Sequence, residues 1–162
     1  MTIEDANEAD LPRIVEIYND AIARSTAVFS DQPVTLELQR RWMESRRASG
    51  NPVIVARADG AVVGFGSYGD FRASAGYRLT VEHSVYVLAA RRRQGIGLRL
   101  LVELVERARR AGKHAVIAAI DAENHASLRM HEQLGFREVG RLPEVARKFE
   151  RWLDLVLMEL QL

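Results

Sequence analysis

"RRRQGIG", residues 91–97, follows the β-branched run "TVEHSVYV" (80–87) by three residues and leads directly into a long amphipathic stretch. A helix that begins after a glycine turn has N–H groups at its first turn that no intrahelical carbonyl satisfies, and the helix dipole adds about half a positive charge there. Glycines at 95 and 97 have no Cβ, so they can take positive φ and let an anion approach the main chain, while Arg92 and Arg93 add charge from the loop. The corner reads as a cradle for a phosphate or pyrophosphate. A dinucleotide fingerprint would need a third glycine at position 100, where the chain has Leu100, and no Gly-Lys-Ser/Thr follows as a nucleoside triphosphate loop would require. What remains is Arg92-x-x-Gly95-x-Gly97 after a strand.

Outward from this corner the periodicity supplies the frame. Upstream, a short strand near Thr2–Ala6 precedes a helix capped by Asp10, with Pro12 in its first turn and Leu11, Ile14, Val15, Tyr18 and Ile22 at helical spacing. A second helix follows Thr35 and closes at Gly50. Val53–Arg57 and Ala61–Tyr68 form a hairpin about Asp59-Gly60, and the polar stretch Gly69–Gly76 leads into the strand at Thr80–Val87. Downstream, the helix from Leu98 presents Leu101, Val102, Val105 and Ala108 on one face, with Glu103/Arg107 and Glu106/Arg110 paired on the other, and stops at Gly112. His114–Ile120 is a strand, Asn124–Leu134 a helix ended by Gly135, and Trp152–Leu160 an apolar strand. Strand-helix alternation in the second half predicts a mixed α/β sheet with helices against its faces.

The 162 residues carry no linker, repeat or low-complexity tract, so one domain spanning 1–162 is expected, large enough to bury roughly 70% of its unfolded surface. There is no cysteine, which excludes disulfides and thiolate chemistry and suits a reducing cytoplasm. "MTIEDANEAD" lacks the basic start and apolar core of a signal peptide, and no apolar run approaches the roughly 20 residues that span a bilayer. Lys plus Arg (23) nearly balances Asp plus Glu (22). The basic clusters Arg40-Arg41, Arg46-Arg47 and Arg91–Arg93 therefore sit in a near-neutral chain, without the aromatic platform or reading helix of a nucleic-acid binder, and neither nucleic acid nor membrane is an expected partner. His131-Glu132 opens like a zinc-protease motif, but the second histidine would fall at Gly135, so no metal is expected. His83, His114 and His125 have no ligand spacing and read as structural.

The blocks "TVEHSVYV", "RRQGIG", "GKHAVIAAID", "NHASLRMHEQLGF" and "KFERWLDLVLM", in this order across roughly residues 60–160, resemble the GCN5-related N-acetyltransferase (GNAT) superfamily, and within it the phosphinothricin and methionine sulfoximine acetyltransferases. The resemblance implies a GNAT-type α/β (α+β) fold, a mixed, mostly antiparallel central sheet with helices on both faces. It implies acetyl-CoA as cosubstrate, bound by the backbone of Val85, Tyr86 and Val87, by Arg92, Arg93, Gln94, Gly95, Ile96, Gly97 and Leu98 at the pyrophosphate, and by Asn124 and Ser127 near the thioester. It implies an acceptor site formed from Phe29, Arg72, Ala73, Ser74, Arg78, Glu82, His83 and Ser84, and a homodimer, with Lys148, Phe149 and Trp152 closing the site or meeting the partner.

Acetyl transfer needs a neutral amine, a donor for the developing oxyanion and a proton for the departing thiolate. An α-amine with pKa near 8 costs only about 1.4 kcal/mol to deprotonate at pH 7, whereas a lysine-type amine costs roughly 4.6 kcal/mol. Glu82, which alternation places on one face with Ser84 and Tyr86 and opposite Val81, Val85 and Val87, is the candidate base. A lone strand glutamate is also a common surface residue. The Val85 N–H is the expected oxyanion donor. His131, where many GNAT enzymes carry a tyrosine and this subgroup a histidine, is the candidate acid; a packed histidine explains it equally well. The function expected is acetylation of the α-amine of a small amino acid or analogue, with a protein N-terminus or lysine, or a non-catalytic CoA sensor, as alternatives.

Overall fold

Val53–Ala58 (β2) alternates its apolar side chains between two cores: Ile54 and Ala56 join one buried cluster, Val53 and Val55 the other. This period-2 division makes a sheet with both faces covered. In the computed structural model, which describes residues 1–162, the sheet has seven strands. They are β1 (Thr2–Asp5), β2, β3 (Ala61–Asp70), β4 (Thr80–Val87), β5 (Ala115–Asp121), β6 (Arg137–Lys148) and β7 (Arg151–Gln161), in spatial order β1-β2-β3-β4-β5-β7-β6. Every neighbouring pair is antiparallel except β4 and β5.

Helices α1 (Leu11–Arg24) and α2 (Leu36–Ala48) cover one face with Leu11, Ile14, Ile17 and Met43 around Phe65. Helices α3 (Ile96–Arg110) and α4 (His125–Gln133) cover the other, where Leu100, Leu101 and Leu104 are fully buried. Each such leucine contributes about 1.5–3 kcal/mol by leaving water.

Several local expectations change. Asp10 does not cap α1 with its side chain; it closes a capping box with Asn7 one turn earlier and pairs with Arg57 at 2.8 Å. Helix α3 starts at Ile96, and Leu104 rather than the exposed Val102 completes its buried stripe. Glu103 and Arg107 do pair, at 2.7 Å, but Glu106 pairs with Arg109, and Arg110 reaches Glu103. β6 has no counterpart in the sequence reading. It is an edge strand, mostly exposed, and its register shifts between Leu142 and Ala146, so neither alternation nor an apolar run betrays it. The turn joining it to β7 is Phe149-Glu150, with φ of 50° and 61°. These are the angles of a two-residue hairpin turn without the usual Asn-Gly or Asp-Gly signature.

Candidate active site

β4 and β5 pair only from Thr80/Ala115 to Glu82/Ile117, after which β5 keeps β7 as its partner through Asp121. Beyond Glu82 the two strands part, and the sheet opens. Leu88 N–H donates to the Val63 carbonyl at 2.9 Å, which fixes the parity of the β3/β4 ladder. The even-numbered residues of β4 bond β3, while the backbone groups of His83, Val85 and Val87 face the opening. The freed Val85 N–H and C=O are an edge onto which an extended amide chain can add as a strand.

At the far end of the opening lies the glycine corner. Gly95 sits at the N-cap of α3 with φ of +75°, and no side chain caps the helix, so the first N–H groups of α3 are available to an anion. Gly97, free to take positive φ, instead lies within the first turn of the helix; the second left-handed residue is Arg93, with φ of 60°. Arg92 Nε donates to the Val87 carbonyl at 3.3 Å, and Arg91 turns away to pair with Asp59. Ile96 is buried in the core, so only its backbone can serve a ligand. A cleft of about 1010 Å³ runs from Arg91–Arg93, Gly95, Gly97 and Leu98 past Val85–Val87 to Asn124 and Ser127. The Asn124 side chain caps α4 by accepting from Ser127 N–H at 3.2 Å, which leaves its amide N–H₂ free to donate. The size, the strand edge and the uncapped helix together fit a long ligand with amides at one end and a diphosphate at the other.

The cleft continues into a narrower cavity of about 350 Å³ bordered by Phe29, Glu82, Ser84, Tyr86 and Asn124. Burial pushes the Glu82 carboxyl above its ordinary range, with Arg72 and then Arg46 pulling it back. Of the acceptor-side loop, Arg72 lies over Phe71 at 4.9 Å and acts on Glu82 through its charge. Ala73 and Ser74 are exposed and border neither cavity, and Arg78 folds back onto the Ala75 carbonyl at 3.3 Å. The structure does not bring these three to Glu82.

His83 and His131 form a buried pair with Nε2 atoms 2.9 Å apart. The Ser127 carbonyl, 2.7 Å from His131 Nδ1, can only accept, so His131 carries its proton on Nδ1 and offers a lone pair at Nε2. His83 then donates from Nε2, and its Nδ1 is left without a partner. Burial pulls His83 down to about 3 and lowers His131 as well. The His83 side chain lies on the face opposite Glu82, packed on His131 and Phe136, yet both histidines border the small cavity with Glu82; burial disfavours the imidazolium form of His131 that a proton donor to the thiolate would use.

Sequence reasoning missed Thr26 and Arg46, and named Lys148 only as closing the site or meeting a partner. Thr26 hydrogen-bonds the buried Asp121, and both border the cleft. Lys148 Nζ donates to the carbonyls of Ser25 and Val28, 2.7 Å each, and so holds the segment that leads to Phe29. Arg46 stood only in a basic cluster, and nothing in its spacing tied it to Glu82.

Residues 14–136 match the Acetyltransferase (GNAT) family. The chain is 48% identical over 162 residues to the L-methionine sulfoximine/L-methionine sulfone acetyltransferase of Pseudomonas aeruginosa, covering 99% of this chain and 94% of that one. Among solved structures it is similar to a ribosomal-protein-alanine N-acetyltransferase from Brucella melitensis (TM-score 0.98, 46% identity, 100% of both chains). It is similar too to an acetyltransferase from Salmonella typhimurium solved with its cofactor acetyl-CoA (TM-score 0.96, 45% identity, 99% and 92% covered). With the parted strands, the uncapped α3 and these likenesses in agreement, the chain belongs to the GNAT family of acetyltransferases.

Proposed function

We propose that this protein transfers acetyl from acetyl-CoA to the α-amine of a small amino acid or analogue of the methionine sulfone, methionine sulfoximine or phosphinothricin type, by direct attack in a ternary complex. The observation that carries the reading is the half-buried Glu82 carboxylate on the wall of the small cavity, which shares Val85, Tyr86, Asn124 and Ser127 with the long cleft. The N–H groups opening α3, with Arg92 and Arg93 beside them, would hold the diphosphate, and the free edge of β4 the pantetheine amides. Acetyl-CoA supplies the activated acyl group. Val85 N–H donates toward the carbonyl oxygen on which negative charge develops, Glu82 takes the proton released by the attacking amine, and as the C–N bond forms the C–S bond breaks and coenzyme A leaves as its thiolate, to be protonated from solvent.

A protein N-terminus is the second reading, favoured by the name of the Brucella relative. Both readings use an α-amine; a cavity of about 350 Å³ suits the smaller acceptor. Absence of cysteine supports a cytoplasmic setting, and the exposed apolar side chains of the β6/β7 hairpin support a homodimer.

Thiol release from acetyl-CoA tests the reading with L-methionine sulfone, L-methionine sulfoximine, phosphinothricin and an alanine-ended peptide as acceptors. Turnover of the amino acids is expected; turnover of the peptide alone rejects them. Glu82→Gln is expected to lower kcat about 10²- to 10⁴-fold while leaving acetyl-CoA affinity unchanged. Because burial raises the Glu82 pKa, activity should fall as pH drops through a value above the ordinary glutamate range, and the Gln variant should lose that limb.

A further inference from the structure

Gly69 of β3 is the register partner of Glu82 on β4, so a side chain at 69 would stand beside the Glu82 carboxylate on the same face of the sheet. Arg46 of α2 already fills that place. A Cβ built on Gly69 would lie 1.2 Å from Arg46 Nη1 and 2.3 Å from its Cζ. The guanidinium carbon lies 5.8 Å from the Trp42 ring centroid, and its buried Nε has no acceptor. Asp70 and Glu82 act on it only at a distance, since neither forms an ion pair with it.

Arginines held for structure in this protein look different. Arg57 bonds both Glu4 and Asp10, at 2.7 and 2.8 Å, and Arg107 bonds Glu103 and Asp5. Buried polar groups are normally satisfied, so a half-buried fork of donors without a protein acceptor points to an acceptor that arrives from outside. The chemistry beside it names that group. An α-amino acid whose amine meets Glu82 carries its carboxylate two bonds away, within about 4 Å of the amine. That is the reach from Glu82 to its partner Gly69 on the neighbouring strand, over which the Arg46 guanidinium lies.

We propose that Arg46 binds the α-carboxylate of the acceptor, with position 69 kept as glycine to admit the guanidinium; this rests on the proposed function. Arg72, from the loop after β3, would then be left to the acceptor's side-chain end. A site built this way selects free amino acids over amides and chain ends.

The test compares L-methionine sulfone with its carboxamide, using acetyl-CoA and thiol release. Arg46→Gln and Gly69→Ala are each expected to raise KM for the acid about 10- to 100-fold, with kcat and the thermal shift produced by acetyl-CoA little changed. Arg46→Lys should recover part of the loss, and the carboxamide should be a poor substrate for wild type and variants alike. Equal losses on acid and amide would overturn the proposal, as would an unchanged KM, or a displaced acid limb in kcat/KM with KM kept, which would make Arg46 a residue acting through Glu82. If Gly69→Ala does not fold, Arg46→Gln decides alone. Wild-type protein that acetylates neither compound would defeat the proposed acceptor class, whereas normal turnover of the acid by Arg46→Gln would defeat only this inference.

Discussion

His83 is on the same face of β4 as Val81 and Val85, and alternation alone tells as much; its partner His131 stands 48 positions away, and no local pattern could bring the two rings together. The pairing has a cost at low pH. Unfolded, His83 takes a proton near 6.5; folded, only near 3. Between these values the unfolded chain binds more protons, so stability falls as pH drops below 6.5, by about 2 kcal/mol at pH 5. Glu82, whose folded pKa is raised, works in the opposite direction, which is why the comparison must be made between variants. Wild-type Tm should decline by about 4–8 °C more than that of His83→Leu between pH 7 and pH 5. Parallel Tm profiles for the two proteins would show that the pair is not held neutral. The face of Glu82 was legible in the period-2 alternation, whereas its candidacy as a base came from the family resemblance. Arg46 was not legible, since its meaning lies in a glycine on another element.

At the scale of elements, β4, α3 and the corner between them could be read closely because each depends on its own sequence: β-branched alternation, a glycine N-cap, a 3.6-residue stripe. β6 escaped because its exposed surface, bulge and Phe-Glu turn remove every local cue. Yet β6 reaches the site through its last residue. Lys148, 6% exposed, donates to two carbonyls of the segment after α1, and Thr26 of that segment is tied to Asp121 at the end of β5. The wall carrying Phe29 is thus pinned from two strands. Lys148→Met keeps most of the apolar stem but leaves the Ser25 and Val28 carbonyls without their donor, costing about 1–3 kcal/mol. KM for the amino-acid acceptor should rise more than the Kd for acetyl-CoA, whose diphosphate is held at the far end of the cleft that Ser25 and Thr26 also border. Calorimetry and steady-state kinetics on the one variant check both halves. Unchanged KM alongside lost stability would make Lys148 a structural tie without influence on the pocket.

Over the whole molecule, the mixed sheet with helices on both faces followed from strand-helix alternation, but the parting of β4 from β5 did not, since it depends on which strand β5 takes as its second neighbour. The sheet's two edges differ in a way that bears on assembly. At the β1 edge, Glu4 and Asp5 are tied to Arg57 and Arg107, and charge of this kind keeps a strand edge from pairing with another chain. At the β6 edge, Val139, Leu142 and Val145 are 56%, 43% and 50% exposed, and Trp152 of neighbouring β7 is 59% exposed. Large apolar side chains left exposed along one edge are candidates for burial against another chain. A second copy meeting this hairpin would bury them and would lie close to the cleft, because Phe149 of the hairpin turn borders it. Sedimentation at micromolar concentration should therefore give a species of twice 18.2 kDa. Val139→Glu combined with Trp152→Glu should return it to a single chain that keeps its fold by circular dichroism and binds acetyl-CoA more weakly. A wild-type protein that sediments as one chain at every concentration tested would leave these side chains as plain surface and remove the partner from the account of the site.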